Sequence, residues 1–168
     1  MKGGSSHSVP VVLLKPVAEL KDDEAQALVS ILNEDAALKE WLYRGDAPAL
    51  TLEEFRCTSL EWQEKHDGVT YCILAPGPVG QISLSRIHEA EARIGYWLAS
   101  REWNKGVAAE AFRQMLVKVK ELGLREVSAS IEADNRASLR LWDKFGAQQE
   151  PVVNRHIRVK ILIERIEV

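Results

Sequence analysis

The sequence predicts an α/β fold, a sandwich of about four helices on a mixed, mostly antiparallel sheet of six to seven strands, and three observations predict it. Two β-rich runs, residues 69–74 and 79–87, flank the turn Ala75-Pro76-Gly77-Pro78 and read as a hairpin. A strand at 93–99, a helix opening after Gly106 and a strand at 124–132 form a strand–helix–strand unit, which implies a right-handed crossover and one parallel pair. Two helical stretches run into Gly123 and Gly146, the residue type that most easily takes the left-handed turn after a helix.

In chain order, residues 1–8 are rich in Gly and Ser, too poor in apolar surface to offset their ordering entropy, and read as a disordered tail. Residues 9–168 read as a single domain. Residues 11–17 form a first strand near a sheet edge, its apolar run broken by Lys15 and Pro16. Asp22 is placed to cap a helix whose Ala25, Leu28, Val29 and Leu32 share one face. Residues 33–35 interrupt that pattern, residues 36–42 resume it, and Arg44-Gly45-Asp46-Ala47-Pro48 is a loop by its turn chemistry.

Thr51 and Glu54 make a capping box for a helix reaching about His66, with Leu52, Phe55 and Trp62 inward. After the hairpin, polar residues 88–91 turn the chain into the 93–99 strand. The helix beyond Gly106 carries a wide apolar stripe: Ala108, Ala111, Phe112, Met115, Leu116, Val119 and Leu122. Val127, Ala129 and Ile131 share one face of the next strand. Asp134-Asn135 caps the helix 136–145, and residues 157–161 alternate as a closing strand that runs into Leu162 and Ile163.

The bulk numbers narrow the function. With 22 basic and 25 acidic residues interspersed, net charge −3, there is no basic field for nucleic acid. Cys57 and Cys72 are too few for a disulfide framework and lack metal-ligand spacing, as do His66, His88 and His156, so no metal is expected. No run approaches the ~18 apolar residues of a membrane span, and the expected setting is the cytoplasm.

One junction points to a ligand. The strand through Ile94-Gly95-Tyr96-Trp97-Leu98 turns at Asn104-Lys105-Gly106 into the helix beginning Val107-Ala108-Ala109. A helix start leaves backbone N–H groups unpaired, and the helix dipole adds positive potential there, which makes an anion site suited to phosphate. Glycine at 106 and alanine at 108 and 109 leave room for a phosphate to reach those amides.

Three motifs in order carry a resemblance. Ile94-Gly95-Tyr96-Trp97-Leu98 is one. Trp103-Asn104-Lys105-Gly106-Val107-Ala108 falls on a phosphate loop written Gln/Arg-x-x-Gly-x-Gly/Ala. Asn135-Arg136-Ala137-Ser138, with Leu141, Lys144, Phe145 and Gly146, matches an Asn-x-x-Ser helix ended by a Gly-Phe-like turn. On these the chain resembles the GNAT N-acetyltransferase superfamily, most of all its RimJ/RimL branch.

The resemblance implies acetyl-coenzyme A as cosubstrate and a primary amine as acceptor, joined by direct attack in a ternary complex. It implies a splayed strand pair, with Trp97, Leu98 and Ala99 meeting the pantetheine arm and Trp103, Asn104, Lys105, Gly106, Val107, Ala108 and Ala109 around the diphosphate. Asn135 matches the residue that bonds the pantetheine amide, and Ser138, one turn on, falls near the thioester sulfur. A backbone N–H from about Leu98 would stabilise the oxyanion.

Three positions depart from the pattern. Trp142 stands where many members carry a tyrosine acid, and an indole is a donor without accessible acidity. Trp103 replaces the usual Gln or Arg, and Arg93 stands where relatives often have an acid. Ser138 is then the candidate for polarising the sulfur, and Glu132, Glu150, Glu91 and His88, or a relayed water, are the candidates for the base.

The branch suggests a protein N-terminal amine as acceptor, with a small amine such as an amino acid, polyamine or antibiotic as the alternative. A strongly acidic groove would favour polyamines. Trp41 and the loop to Leu50 border the acceptor site in the family. The three departures also fit a non-catalytic acyl-coenzyme A sensor, and a kinase-like site is disfavoured because no Gly-Lys-Ser/Thr follows the turn. A monomer or a homodimer is expected.

Overall fold

The computed structural model describes residues 8–168, so the tail predicted for 1–8 lies outside the described residues except for Ser8. Its elements are β1 (Leu13–Pro16), α1 (Asp22–Glu34), α2 (Ala36–Tyr43), α3 (Leu52–Lys65), β2 (Gly68–Leu74), β3 (Pro78–His88), β4 (Glu91–Leu98), α4 (Val107–Glu121), β5 (Glu126–Glu132), α5 (Arg136–Lys144), β6 (Gln148–Gln149) and β7 (His156–Leu162). Among the described residues the sheet has seven strands, ordered β1-β2-β3-β4-β5-β7-β6. Every pair is antiparallel except β4–β5, the parallel pair that the crossover through α4 requires.

Alternation along the strands sorts the core into two layers. On one face α4 and α5 place Phe112, Met115, Leu116 and Trp142 on Ile73, Ile82, Val127 and Ile161. On the other, α1 and α3 set Leu28, Val29 and Phe55 against Cys72. Ile73 and Cys72 are neighbours in β2 yet belong to different layers, as a period of two demands. Full burial of side chains such as Phe112 and Leu116 stabilises by about 1.5–3 kcal/mol each. Burial also pushes the Cys72 thiol up to about 12, which makes it an inert core residue.

The helix stops are built as the glycines imply. Gly123 takes φ 73°, its N–H donates to the Lys120 carbonyl at 3.1 Å and the Leu124 N–H to the Val119 carbonyl at 3.3 Å. Gly146, at φ 78°, repeats the motif on α5.

Some expectations need correction. Asp22 is the first residue of α1 and not its cap. Lys21 is, and its N–H donates to Glu24 Oε1 at 3.0 Å. Leu122 leaves the apolar stripe and is 52 % exposed, because the chain turns out of the helix there. The first strand stops at Pro16, and residues 17–19 form a 3-10 turn. Residues 36–43 make a helix of their own, so five helices flank the sheet among the described residues. Asp35 separates it from α1 with an extended backbone and a side chain that accepts from the Leu38 N–H.

The feature that positions the site is where pairing fails. β4 and β5 bond only at Glu91 with Glu126, Ala92 with Val127 and Arg93 with Ser128, after which the two strands part. Among the described residues no helix is long and apolar enough to cross a membrane.

Candidate active site

At the helix start, Asn104 and Gly106 take left-handed backbone conformations, φ 60° and 82°, which fold the turn back on itself and aim its amides outward. The first amide of α4 to enter the helical ladder is that of Glu110, which donates to the Gly106 carbonyl at 3.1 Å. Those of Val107, Ala108 and Ala109 lie ahead of it, at the positive end of a 15-residue helix. A cleft of about 720 Å³ opens in front of them.

Lys105, Arg113 and Lys144 border that cleft, and Pro10 closes one side, within 3.6 Å of where a side chain on Gly106 would begin. Glu110 is the one acid among its described walls, and it is committed: Arg113 donates to both its oxygens at 2.7 and 3.0 Å. That pairing, ahead of the opposing effect of burial, holds the Glu110 carboxyl below its usual range. The cleft thus offers amides and cations to an anion, and a diphosphate fits it.

The other element of the site is the gap between β4 and β5. The Ala99 N–H donates to the Val79 carbonyl at 2.8 Å, and the register pairs Leu98 with Gly80. By antiparallel alternation Trp97 and Ala99 face β3, while Leu98 and Tyr96 turn their backbone groups toward the gap. Of the three residues assigned to the pantetheine arm, Leu98 alone therefore presents its N–H there. Its carbonyl is occupied, because the Trp103 indole donates to it at 2.9 Å. This bond is what the unusual tryptophan does: it ties the phosphate turn to the end of β4. Gly80 permits the close approach, since a Cβ there would lie 2.3 Å from the Trp97 carbonyl oxygen.

On α5 the Asn135 side chain caps the helix, its Oδ1 accepting from the Ser138 N–H at 3.2 Å, which leaves the Nδ2 donor available to a ligand. Ser138 is 7 % exposed. Trp142 is buried edge-on against Phe112 at 5.0 Å, so the residue in the tyrosine's place fills core. A hydroxyl that the sequence reading had not assigned stands nearer. Burial raises the Tyr96 phenol above its ordinary range, and the Ser138 hydroxyl beside it offsets part of that rise. Tyr96 is hence a protonated donor at neutral pH.

The base candidates lie apart. Glu132, at the end of β5, is ion-paired with Arg44 from the loop after α2. Glu150 and Glu91 share Arg158, at 3.8 and 3.0 Å. His88 pairs with Glu91 at 3.0 Å near the far end of β4. Among the described residues no cluster of three His, Cys, Asp or Glu could hold a metal.

One link had no local signal. Asp35 Oδ2 accepts from the Ser100 N–H at 2.7 Å and Oδ1 from its hydroxyl at 2.8 Å, across 65 positions. It joins the α1–α2 corner to the turn that precedes the phosphate loop. The aspartate's cap of α2 was a readable pattern, but its reach to Ser100 was not.

Comparison with known proteins bears on this geometry. A family model described as Acetyltransferase (GNAT) domain matches residues 12–148. The chain is 27% identical over 150 residues to the "Putative ribosomal N-acetyltransferase YdaF" of Bacillus subtilis (strain 168), covering 84% of this chain and 79% of that protein. In fold it is similar to Mycobacterium smegmatis RimJ in complex with CoA-disulfide, with TM-score 0.71, 20% identity and coverage of 92% and 88%. It is equally similar to the spermidine N-acetyltransferase from Vibrio cholerae in complex with CoA and spermine, with TM-score 0.71, 15% identity and coverage of 92% and 96%.

Proposed function

The chain belongs to the GNAT acetyltransferase family and is an N-acetyltransferase, and we infer that it is RimJ/RimL-like and moves the acetyl group of acetyl-coenzyme A to a polypeptide's N-terminal amine within a ternary complex. The observation that carries this reading is the combination of unpaired amides at Val107, Ala108 and Ala109 with a Leu98 N–H turned toward the gap where β4 parts from β5. When bound, acetyl-coenzyme A supplies an activated thioester. The protein's part is to hold and polarise it.

In this reading the α4 amides with Lys105, Arg113 and Lys144 grip the phosphates, and Asn135 Nδ2 donates to the pantetheine arm. The Leu98 N–H stabilises negative charge on the carbonyl oxygen as the amine attacks. Ser138, with the Tyr96 phenol beside it, hydrogen-bonds the departing sulfur. Glu150 or Glu132 receives the amine's proton, Glu132 only once Arg44 has let go of it.

The acceptor's being a protein terminus is supported by the ribosomal assignment in YdaF's name. Among its described lining residues, the cavity beside β4 has no carboxylate to receive a polyamine. Titration calorimetry with acetyl-coenzyme A, followed by thiol release on adding N-terminally free peptides, tests the whole reading. No heat of binding, or binding without release on any amine, would reject it, the latter in favour of a sensor.

A further inference from the structure

On the face of the sheet away from α4, a cavity of about 450 Å³ lies between α3, the end of α2 and strands β2 to β4. Phe55 and Trp62 of α3, Leu42 and Tyr43 of α2 and Trp97 of β4 are among its walls. No Asp, Glu, Lys, Arg or His is among its described lining residues. Much of its polar lining is spent internally. The Thr58 hydroxyl donates to the Glu54 carbonyl at 2.7 Å, the Ser83 hydroxyl to the Gly95 carbonyl at 3.3 Å, and Gln81 Oε1 accepts the Trp97 indole at 2.8 Å.

Two further observations indicate a ligand of matching character. Trp41, Leu42 and Tyr43, at 44, 38 and 48 % exposure, put three consecutive large side chains at the end of α2, where Leu42 and Tyr43 also line the cavity. Leu42 and Tyr43 thus place exposed apolar and aromatic surface at the cavity's rim. Gly95 puts no side chain on the β4 wall of the cavity. β4, whose residues 95–97 line this cavity, is also the strand that carries Leu98, so the cavity borders the strand that would meet the thioester.

Resting on the function inferred above, we propose that the acceptor is a primary amine whose adjoining group is large, uncharged and apolar or aromatic. A second cation, as in a polyamine or an N-terminal lysine, would lose water here with no counter-charge among the described lining residues, and an acidic group would fare no better. Aromatic walls instead suit ring-on-ring packing.

The test is a panel of acceptors offered to the full chain with saturating acetyl-coenzyme A, read as thiol release: tetrapeptides beginning with Phe, Ala, Lys or Asp, together with phenethylamine and spermidine. The Phe-first peptide is expected to exceed the Lys-first and Asp-first peptides and spermidine at least tenfold in kcat/KM. Phenethylamine separates the sources: turnover matching the Phe-first peptide identifies a free arylalkylamine, and much slower turnover a polypeptide terminus. Ser59→Trp, which fills the cavity from α3, is expected to erase the Phe-over-Ala preference while the acetyl-coenzyme A Kd, measured by calorimetry, stays unchanged. As a readout without turnover, N-acetyl-phenylalaninamide is expected to alter tryptophan fluorescence in the coenzyme A complex of the unaltered protein but not in that of Ser59→Trp. Charged acceptors equalling the Phe-first peptide would overturn the proposal while leaving the acetyltransferase reading intact. Failure to bind acetyl-coenzyme A would bring down both.

Discussion

Replacing Asp35 by alanine removes a tie that spans the site. The carboxylate accepts from the Leu38 N–H at 3.1 Å as a helix cap, and from the Ser100 N–H and hydroxyl at 2.7 and 2.8 Å. Hydrogen bonds to a charged acceptor are worth ~1.5–3 kcal/mol and a cap ~1 kcal/mol, and discounting for the partial exposure of Asp35 leaves a loss of about 2–4 kcal/mol. In a chain this long that lowers Tm by about 5–12 °C. Burial pushes this carboxyl up, but the donors from Ser100 and Leu38 outweigh it and hold it below its ordinary value of 3.8. A depressed carboxyl contributes in full above its unfolded value, and the contribution is lost as pH falls through the folded one. The gap between wild type and Asp35→Ala in urea denaturation should therefore be constant from neutral pH down to about 5 and shrink only below about 4. Asp35→Asn should fall between the two. A difference under about 0.5 kcal/mol at pH 7, or one that does not change in acid, would refute the reasoning.

Gly106→Ala forces a side chain into φ 82°, a strain of about 1–2 kcal/mol, and should weaken acetyl-coenzyme A binding at least tenfold by calorimetry as the turn shifts. Arg113→Ala should weaken acetyl-coenzyme A binding, read by the same titration, because it removes a cation from the cleft and leaves Glu110 without its ion-pair partner, so raising salt should narrow the difference. Ser138→Ala and Tyr96→Phe should each lower kcat by about tenfold or more with little change in cofactor Kd, and the double variant should lose less than the product of the two. Full activity in both single variants would remove the hydroxyl pair from the chemistry.

What could be read in advance was whatever a few neighbouring residues decide. The stripe Ala111, Phe112, Met115, Leu116 and Val119 fixes α4, and all five are buried. Thr51 with Glu54, and glycines 123 and 146, set helix ends by bonds spanning three to five positions. The phosphate turn was legible for the same reason, since its geometry lies within residues 103–110. Contacts between distant segments were not. Arg44 meets Glu132 across 88 positions, and Asp35 meets Ser100 across 65, with nothing local to announce either. β6 is two glutamines without periodicity, a strand only because β7 lends it partners. In the sequence Trp103 stands only as a replacement for Gln or Arg, whereas its indole bonds the Leu98 carbonyl, a role that only the folded turn reveals.

The parting of β4 from β5 after Arg93 and Ser128 has a mechanical side. Three residue pairs, the overlying α4 and ion pairs such as Glu91 with Arg158 stitch a four-stranded half to a three-stranded half, so the sheet has a seam. A cosubstrate lying along that seam as a surrogate strand would close it with bonds to both banks. Its arrival should slow amide exchange at Tyr96 and Leu98 together with Ser130, whose N–H by register faces the gap, while the hairpin of β2 and β3 stays as it was.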